Sequence, residues 1–214
     1  MMWQLSTKMH GTGNNFIIID SRLVDNVNRD YKKIANDSNC DQVIVVTNSN
    51  VADCFMHIYN ADGSKVETCG NAARCVGYLI MLEKGTKYAT IELMNEQILE
   101  CFKAGNKSIK INMGKPSLKW YEIPLSTECD TLHLPIELGV LKDPVAVNIA
   151  PQLENHILFP KKTNVSIAQI DKPGEINLQV WERGTGITAS CGSAACAAFV
   201  ASVNYLSSGQ TTYL

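Results

Sequence analysis

Residues 69–75 read Cys69-Gly70-Asn71-Ala72-Ala73-Arg74-Cys75, and residues 191–196 read Cys191-Gly192-Ser193-Ala194-Ala195-Cys196. Aligned on the first cysteine, Cys69, Gly70, Ala72 and Ala73 match Cys191, Gly192, Ala194 and Ala195. Asn71 gives way to Ser193, another small polar residue. Each copy opens an alanine-rich apolar run, which predicts one helix over about 71–83 and another over about 192–203. Before the first copy lie the β-rich runs Phe16–Ile19, Val43–Val46 and Asp53–Tyr59, then the turn Asn60-Ala61-Asp62-Gly63-Ser64. Before the second lie strand-like Asn164–Ile170 and Ile176–Trp181, then the turn Thr185-Gly186. Strands are also expected at Thr90–Leu93, Ser108–Met113 and Pro144–Ile149, and Gly114-Lys115-Pro116 breaks the chain near its middle. The repeat is far too long for a solenoid. It predicts an α+β chain of two similar half-domains, 1–114 and 115–214, with a cleft between them.

Each motif carries chemistry for a physical reason. The first N–H groups of a helix have no internal partner, and the helix dipole adds partial positive charge there. A cysteine at that point is expected to have a lowered pKa, because the thiolate is the stabilised form. The glycine after it lets a ligand approach the backbone, and the same N–H groups can hold a carboxylate. With both motifs on one substrate, one thiolate removes an α-proton while the opposite thiol delivers one, inverting the stereocentre. That needs neither a metal nor a pyridoxal Schiff base, but it does need a dry site.

The other cysteines read differently. Cys40, Cys54, Cys101 and Cys129 are expected to be small buried hydrophobes, and Cys75 and Cys196 to pack at apolar helix positions. Spacings of five and four residues within the motifs are not the tight pairs of zinc or redox sites, so no metal is expected.

The bulk composition narrows the classes. The chain has 214 residues, is 45% hydrophobic and 19% charged, and carries a net charge of −2. Its pI is near 6.1. There is no basic cluster for nucleic acid and no apolar run long enough for a membrane, so the expected partner is a small-molecule substrate. Eight cysteines fall below the density of a disulfide-stapled secreted domain. With no export signal at the N-terminus, a reducing cytoplasm is the expected compartment.

On these residues the chain resembles the diaminopimelate epimerase family, pyridoxal-independent enzymes of lysine and peptidoglycan synthesis. His10-Gly11-Thr12-Gly13-Asn14-Asn15-Phe16 is similar to the family's N-terminal signature, and Cys40-Asp41-Gln42 to its Asp-Gln element. Asn60–Ser64 with Cys69–Cys75 resembles the first active-site block. Phe159-Pro160, Thr163-Asn164-Val165, Glu182-Arg183-Gly184-Thr185-Gly186 and Cys191-Gly192-Ser193 resemble the second. The resemblance implies two pseudo-symmetric halves, each a mostly antiparallel sheet wrapped around a central helix. It implies that Cys69 and Cys191 are the acid/base pair and that Asn14, Gln42, Asn60 and Asn164 bind polar groups of the substrate. Gly70, Asn71, Gly192 and Ser193 would hold the carboxylate at the reacting centre. Glu182 and Arg183 would lie close to the substrate, with Glu182 tuning catalysis. It further implies interconversion of LL- and meso-diaminopimelate, no cofactor, and a homodimer.

The chain departs from the family pattern in three places. The family's Gly-Asn-Pro-His block should fall where Val147-Asn148-Ile149 meets Ala150-Pro151, and it is absent. His156 belongs to a later Glu-Asn-His element and does not replace it. A closing Gly-Pro-Ala strand is also missing before Tyr213-Leu214, and the approach to Asp41-Gln42 is short at Cys40. The sequence is expected to omit mobile loops of a longer protein; an intact mass near 23.5 kDa would refute that. Two other functions stay open at this point: a proline or hydroxyproline racemase-like activity on the same fold, and a non-catalytic amino-acid-binding remnant. The Asn14, Gln42 and Asn164 set argues for a substrate with a second polar amino-acid end, which proline lacks.

Overall fold

A computed structural model of the chain describes residues 6–23, 29–123, 125–136 and 146–208. The chain divides into two compact units, Met1–Gly114 and Lys115–Leu214.

In the first unit the strands are β1 (Ser6–Gly11), β2 (Asn14–Asp20), β3 (Gln42–Thr47), β4 (Cys54–Asn60), β5 (Lys65–Val66), β6 (Tyr88–Glu92), β7 (Ile98–Lys103) and β8 (Ile109–Asn112). The helices are α1 (Tyr31–Ser38) and α2 (Gly70–Lys84). The strands form one sheet in the order β1-β2-β3-β4-β6-β7-β8, with β5 paired to β4. Only β2–β3 and β4–β6 are parallel; the other neighbours are antiparallel. Parallel neighbours need a crossover, and the two helices supply them: α1 lies between β2 and β3, α2 between β4 and β6.

The two helices cover opposite faces of the sheet, which explains the uninterrupted apolar runs of β2 and β3. Phe16, Ile18, Ile44 and Val46 join the core cluster that contains α2. Ile17, Ile19, Val43 and Val45 alternate to the other face, where they meet Ala35 and Ile34 of α1 and the ring of Tyr59. Strand β4 alternates instead: Cys54, Met56 and Ile58 are buried while Phe55, His57 and Tyr59 are half-buried.

Helix α2 touches β1, β2, β6, β7 and β8, so the sheet wraps it. Nine of its fifteen residues are buried, from Asn71 to Met81. Gly77 sits where it crosses β7: a Cβ there would lie 2.8 Å from the Cys101 sulfur. A mid-helix glycine costs conformational entropy, but here no larger residue fits. The helix stops at Gly85, whose φ of 67° is left-handed and whose N–H bonds the Met81 carbonyl.

The second unit holds α3 (Ala146–Glu154), β9 (Val165–Lys172), β10 (Glu175–Glu182), β11 (Gly186–Thr188) and α4 (Gly192–Ser208). Its described sheet has three antiparallel strands in the order β11-β10-β9. Helix α3 packs on all three and α4 on β9 and β10. Small residues four apart, Ala194, Ala198 and Ser202, form the buried stripe of α4, while Phe199 and Val203 are exposed.

Three expectations are corrected. The strand expected at Pro144–Ile149 is helical over the residues described there, and Pro144 and Val145 lie outside them. Ile149, Ala150 and Glu154 are buried together, a stripe of helical period rather than alternation. Cys196, expected to pack, is exposed because α4 turns only its Ala194–Ala198 side to the sheet. Cys129 is half-buried rather than core. The structure adds β1, α1, β5, β7 and β11, which the sequence patterns did not indicate.

Replacing Gly77 by Ala should destabilise the protein by about 1–3 kcal/mol through overpacking against Cys101. Urea unfolding of the two proteins measures this, and the double variant Gly77→Ala/Cys101→Ala should recover part of the loss.

Candidate active site

The first unit gathers its predicted site residues at one end of the sheet. Asn14 opens β2, Gln42 opens β3 and Asn60 closes β4. Gln42 pairs with Asn60 on one side and with Phe16, two residues beyond Asn14, on the other. Cys69 is the N-cap of α2, in extended backbone with φ −150° and ψ 105°. Its carbonyl accepts the first helical bond, from Ala73 N–H at 3.0 Å. The thiol therefore stands at the positive end of a fifteen-residue helix, beside N–H groups that the helix cannot satisfy itself.

Close packing holds that helix end in place. A Cβ on Gly11 of β1 would lie 2.9 Å from the Asn71 carbonyl oxygen, so the strand runs directly against the first turn. The β1–β2 turn places Thr12 at φ 48° and Gly13 at φ 100°, both left-handed. The Thr12 hydroxyl donates to Asn71 Oδ1 at 2.9 Å and accepts from the Arg74 guanidinium at 2.8 Å. Arg74 also donates to Asn71 Oδ1. Asn71 Nδ2 in turn donates to Asn14 Oδ1 at 2.6 Å.

A second amide chain runs beside it. Gln42 Nε2 donates to Asn60 Oδ1 at 3.0 Å, and Asn60 Nδ2 donates to the Ser64 hydroxyl at 3.1 Å. Ser64 donates to Asp62 Oδ1 at 2.6 Å. The side chains of Asn60 and Asn71 thus have bonds at both amide ends within the unit. Arg74, Thr12 and Ser64 were not singled out from the sequence. Arg74 lay inside the quoted motif, three residues from Asn71, the spacing at which helical side chains meet.

In the second unit Cys191 repeats the arrangement. Its carbonyl accepts from Ala195 N–H at 3.1 Å as α4 begins at Gly192. The Cys191 sulfur lies 3.2 Å from the Ser193 hydroxyl, which can donate to it when it is a thiolate. Glu182 ends β10, and its carboxylate accepts from the Thr188 hydroxyl at 2.7 Å. Asn164 precedes β9 and accepts the Arg183 N–H at 2.9 Å, while the Arg183 guanidinium donates to the Lys161 carbonyl at 3.1 Å.

Beneath this turn lies Glu154, a residue the sequence did not single out. It is buried, and it accepts from Trp181 Nε1 at 2.7 Å, Gly184 N–H at 3.2 Å and Lys162 Nζ at 3.4 Å. It therefore fixes the chain on both sides of Glu182 and Arg183. The Trp181 hydrogen bond, with lesser help from Gly184 and Lys162, holds its carboxyl below the ordinary glutamate value.

Electrostatics separates the cysteines. Burial pushes the Cys54 and Cys101 thiols up to about 12 and Cys75 up to about 11, against the opposing charge of Arg74 in the last case. Burial also raises Cys40. These four remain neutral thiols packed in apolar surroundings, whereas Cys69 and Cys191 are half-buried at helix starts. Among the described residues no cluster of His, Cys, Asp and Glu has the makings of a metal site. No helix among them is long and apolar enough to cross a membrane.

Comparison with known proteins bears on this arrangement. The family model described as diaminopimelate epimerase matches residues 6–119 and 137–212. Diaminopimelate epimerase of Wolbachia from Drosophila simulans is 68% identical over 227 positions, taking in 96% of this chain and 87% of the relative. That of Wolbachia from Brugia malayi is 64% identical over 234 positions, with 99% and 90% coverage. Both alignments exceed 214 positions, so the relatives carry residues with no counterpart here. The junction where the Gly-Asn-Pro-His block was expected, Ile149-Ala150, lies inside continuous helix α3. Among solved structures, a phenazine biosynthesis protein of the PhzF family from Enterococcus faecalis shares the fold. Its TM-score is 0.55 at 15% identity, with 94% of this chain and 79% of that one covered. A hydroxyproline epimerase from Agrobacterium vitis also shares it, with a TM-score of 0.51 at 11% identity and 99% and 80% coverage.

A carboxyl lowered on folding stabilises the protein above its ordinary value of 4.5, and that stabilisation disappears as pH falls through the lower folded value. Tryptophan fluorescence should therefore show the Trp181 environment loosening on acidification below pH 4.5. Glu154→Gln should flatten the Glu154 part of that dependence; an unchanged acid profile would show that Glu154 does not support the turn.

Proposed function

Because the chain belongs to the diaminopimelate epimerase family, we propose that it interconverts LL- and meso-diaminopimelate by proton transfer between Cys69 and Cys191. The observation that carries this reading is the repeated helix start. Both cysteines precede a glycine, and both give their carbonyl to the residue four places on, at 3.0 and 3.1 Å. Each therefore presents a thiol beside N–H groups that its own helix cannot pair, a setting suited to a carboxylate.

In the reaction one cysteine is a thiolate and the other a thiol. The thiolate takes the α-proton, forming S–H as the Cα–H bond breaks. The opposite thiol gives its proton to the other face of the α-carbon and is left as the thiolate. The stereocentre inverts, nothing is oxidised, and the reverse reaction restores the starting state. Gly70, Asn71, Gly192 and Ser193 hold the reacting carboxylate at the two helix starts, with the Ser193 hydroxyl supporting the Cys191 thiolate. Asn14, Gln42, Asn60 and Asn164 take the remaining polar groups, directly or by fixing a neighbour. Glu182 and Arg183 stand close to the substrate on a turn braced by Thr188, Asn164 and Glu154. No cofactor enters.

The close relatives carry the diaminopimelate name, and no specific observation favours proline or hydroxyproline. The likeness to the hydroxyproline epimerase, at 11% identity, extends to the fold alone. We also propose a cytoplasmic homodimer, as the family reading implies; a monomer mass in light scattering would overturn the dimer.

Cys69→Ala and Cys191→Ala should each lower epimerisation by at least about a thousandfold, because one half of the proton relay is lost. Wild-type protein turning over LL-diaminopimelate in deuterium oxide should place deuterium at the inverted α-carbon. Full activity in either alanine variant sinks the two-thiol mechanism, and binding of diaminopimelate without any exchange identifies a non-catalytic binder.

A further inference from the structure

We propose that Arg74 is a positioning residue that sets the polarity of the site's amides, so that Asn14 turns its NH2 edge, not its carbonyl, to an anionic group of the substrate. The inference rests on the reading of Asn14 as a substrate contact.

The two ends of an asparagine amide have nearly the same shape and opposite hydrogen-bonding character. Packing alone hardly distinguishes them, so the partners of one end decide which end a ligand meets. At Asn71 the decision is made by donors. Arg74 has no acceptor to offer, and it donates both to Asn71 Oδ1 and to the Thr12 hydroxyl. Since Thr12 accepts from Arg74, its own proton goes to Asn71 Oδ1, 2.9 Å away. With two donors on its oxygen, Asn71 cannot turn its amide without setting N–H against N–H. Its Nδ2 is thereby directed at Asn14, where it can bond only the oxygen, at 2.6 Å. Asn14 Oδ1 is taken, and Asn14 Nδ2 has no partner among the described residues. Polarity passes from a fixed cation through two amides to a donor at the opening of β2.

The neighbouring chain ends the other way. Gln42 spends its Nε2 on Asn60 Oδ1, and its Oε1 has no partner among the described residues. The first unit thus offers a donor from Asn14 and an acceptor from Gln42 on adjacent strands, the complement of a carboxylate and an ammonium. The burial of Asn71, 3% exposed, makes the arrangement strict, because water cannot replace a lost partner there.

A purely structural Arg74 would brace the left-handed Thr12 turn and affect folding or kcat and KM alike. Positioning through Asn14 predicts something narrower. Steady-state epimerisation of LL-diaminopimelate by Arg74→Met should show KM raised about tenfold, the loss of one favourable hydrogen bond to an anion, with kcat within about twofold. Asn14→Ala should raise KM similarly. In the Asn14→Ala background, adding Arg74→Met should change KM by less than about twofold, because the relay no longer has an end. Arg74→Lys, which donates from a single point, should restore part of the affinity, and it carries the same cycle if Arg74→Met does not fold. The proposal is overturned if the two KM effects multiply, if Arg74 variants lower kcat and leave KM alone, or if Asn14→Ala leaves KM unchanged. Loss of activity in the cysteine variants tests the two-thiol reading separately.

Discussion

The burial of helix α2 is the constraint on which the first unit depends. A helix held on five strands cannot slide or tilt, so its N-terminus is a fixed point. Gly77 against Cys101 and Gly11 against the Asn71 carbonyl are the two places where the packing leaves no room for a methyl group. Between them they fix the helix across the sheet and along its axis. The sulfur at Cys69 and the N–H groups beyond it inherit that position. A proton-transfer reaction at a weakly acidic carbon needs such placement, because small displacements of the base are costly in rate.

Polar groups around that helix end act by saturating one another. Asn71 and Asn60 have both amide ends bonded, which leaves one end of Asn14 and one of Gln42 without a partner among the described residues. A site built from amides alone would be ambiguous, since each could turn over. An arginine that only donates, and a hydroxyl obliged to pass its proton onward, remove the ambiguity. The same logic separates the sulfurs: burial keeps Cys54, Cys75 and Cys101 protonated, while the two helix-start cysteines stay half-buried.

The second unit reaches a comparable helix start with a different support. Its described sheet is three strands, and α4 rests on it through small side chains four apart. In the Glu182–Gly186 turn the buried carboxylate of Glu154 holds Trp181 before the turn and Gly184 within it, beside the bonds from Asn164 and Thr188. This chain thus repeats the helix-start cysteine and not the means of fixing it.

The paired cysteine motifs, the two helices behind them and the strongly apolar strands were legible in the sequence, because each is a local pattern of period or capping. Residues expected at the two candidate sites could be named from their order along the chain, and the fold gathers Asn14, Gln42 and Asn60 at one end of the first sheet. Elements with weak patterns were not. Strand β1 has no fully buried residue, α1 buries only Ala35, and the β-branched start of α3 imitates a strand until its buried face is seen. What tertiary structure alone decided is the role of side chains whose partners are remote in sequence. Thr12 and Asn14 meet Asn71 and Arg74 across about sixty residues, and Glu154 meets Trp181 and Gly184 across about thirty. A motif specifies which group is present, but the direction of its hydrogen bonds is set by neighbours that only the packed sheet brings within reach.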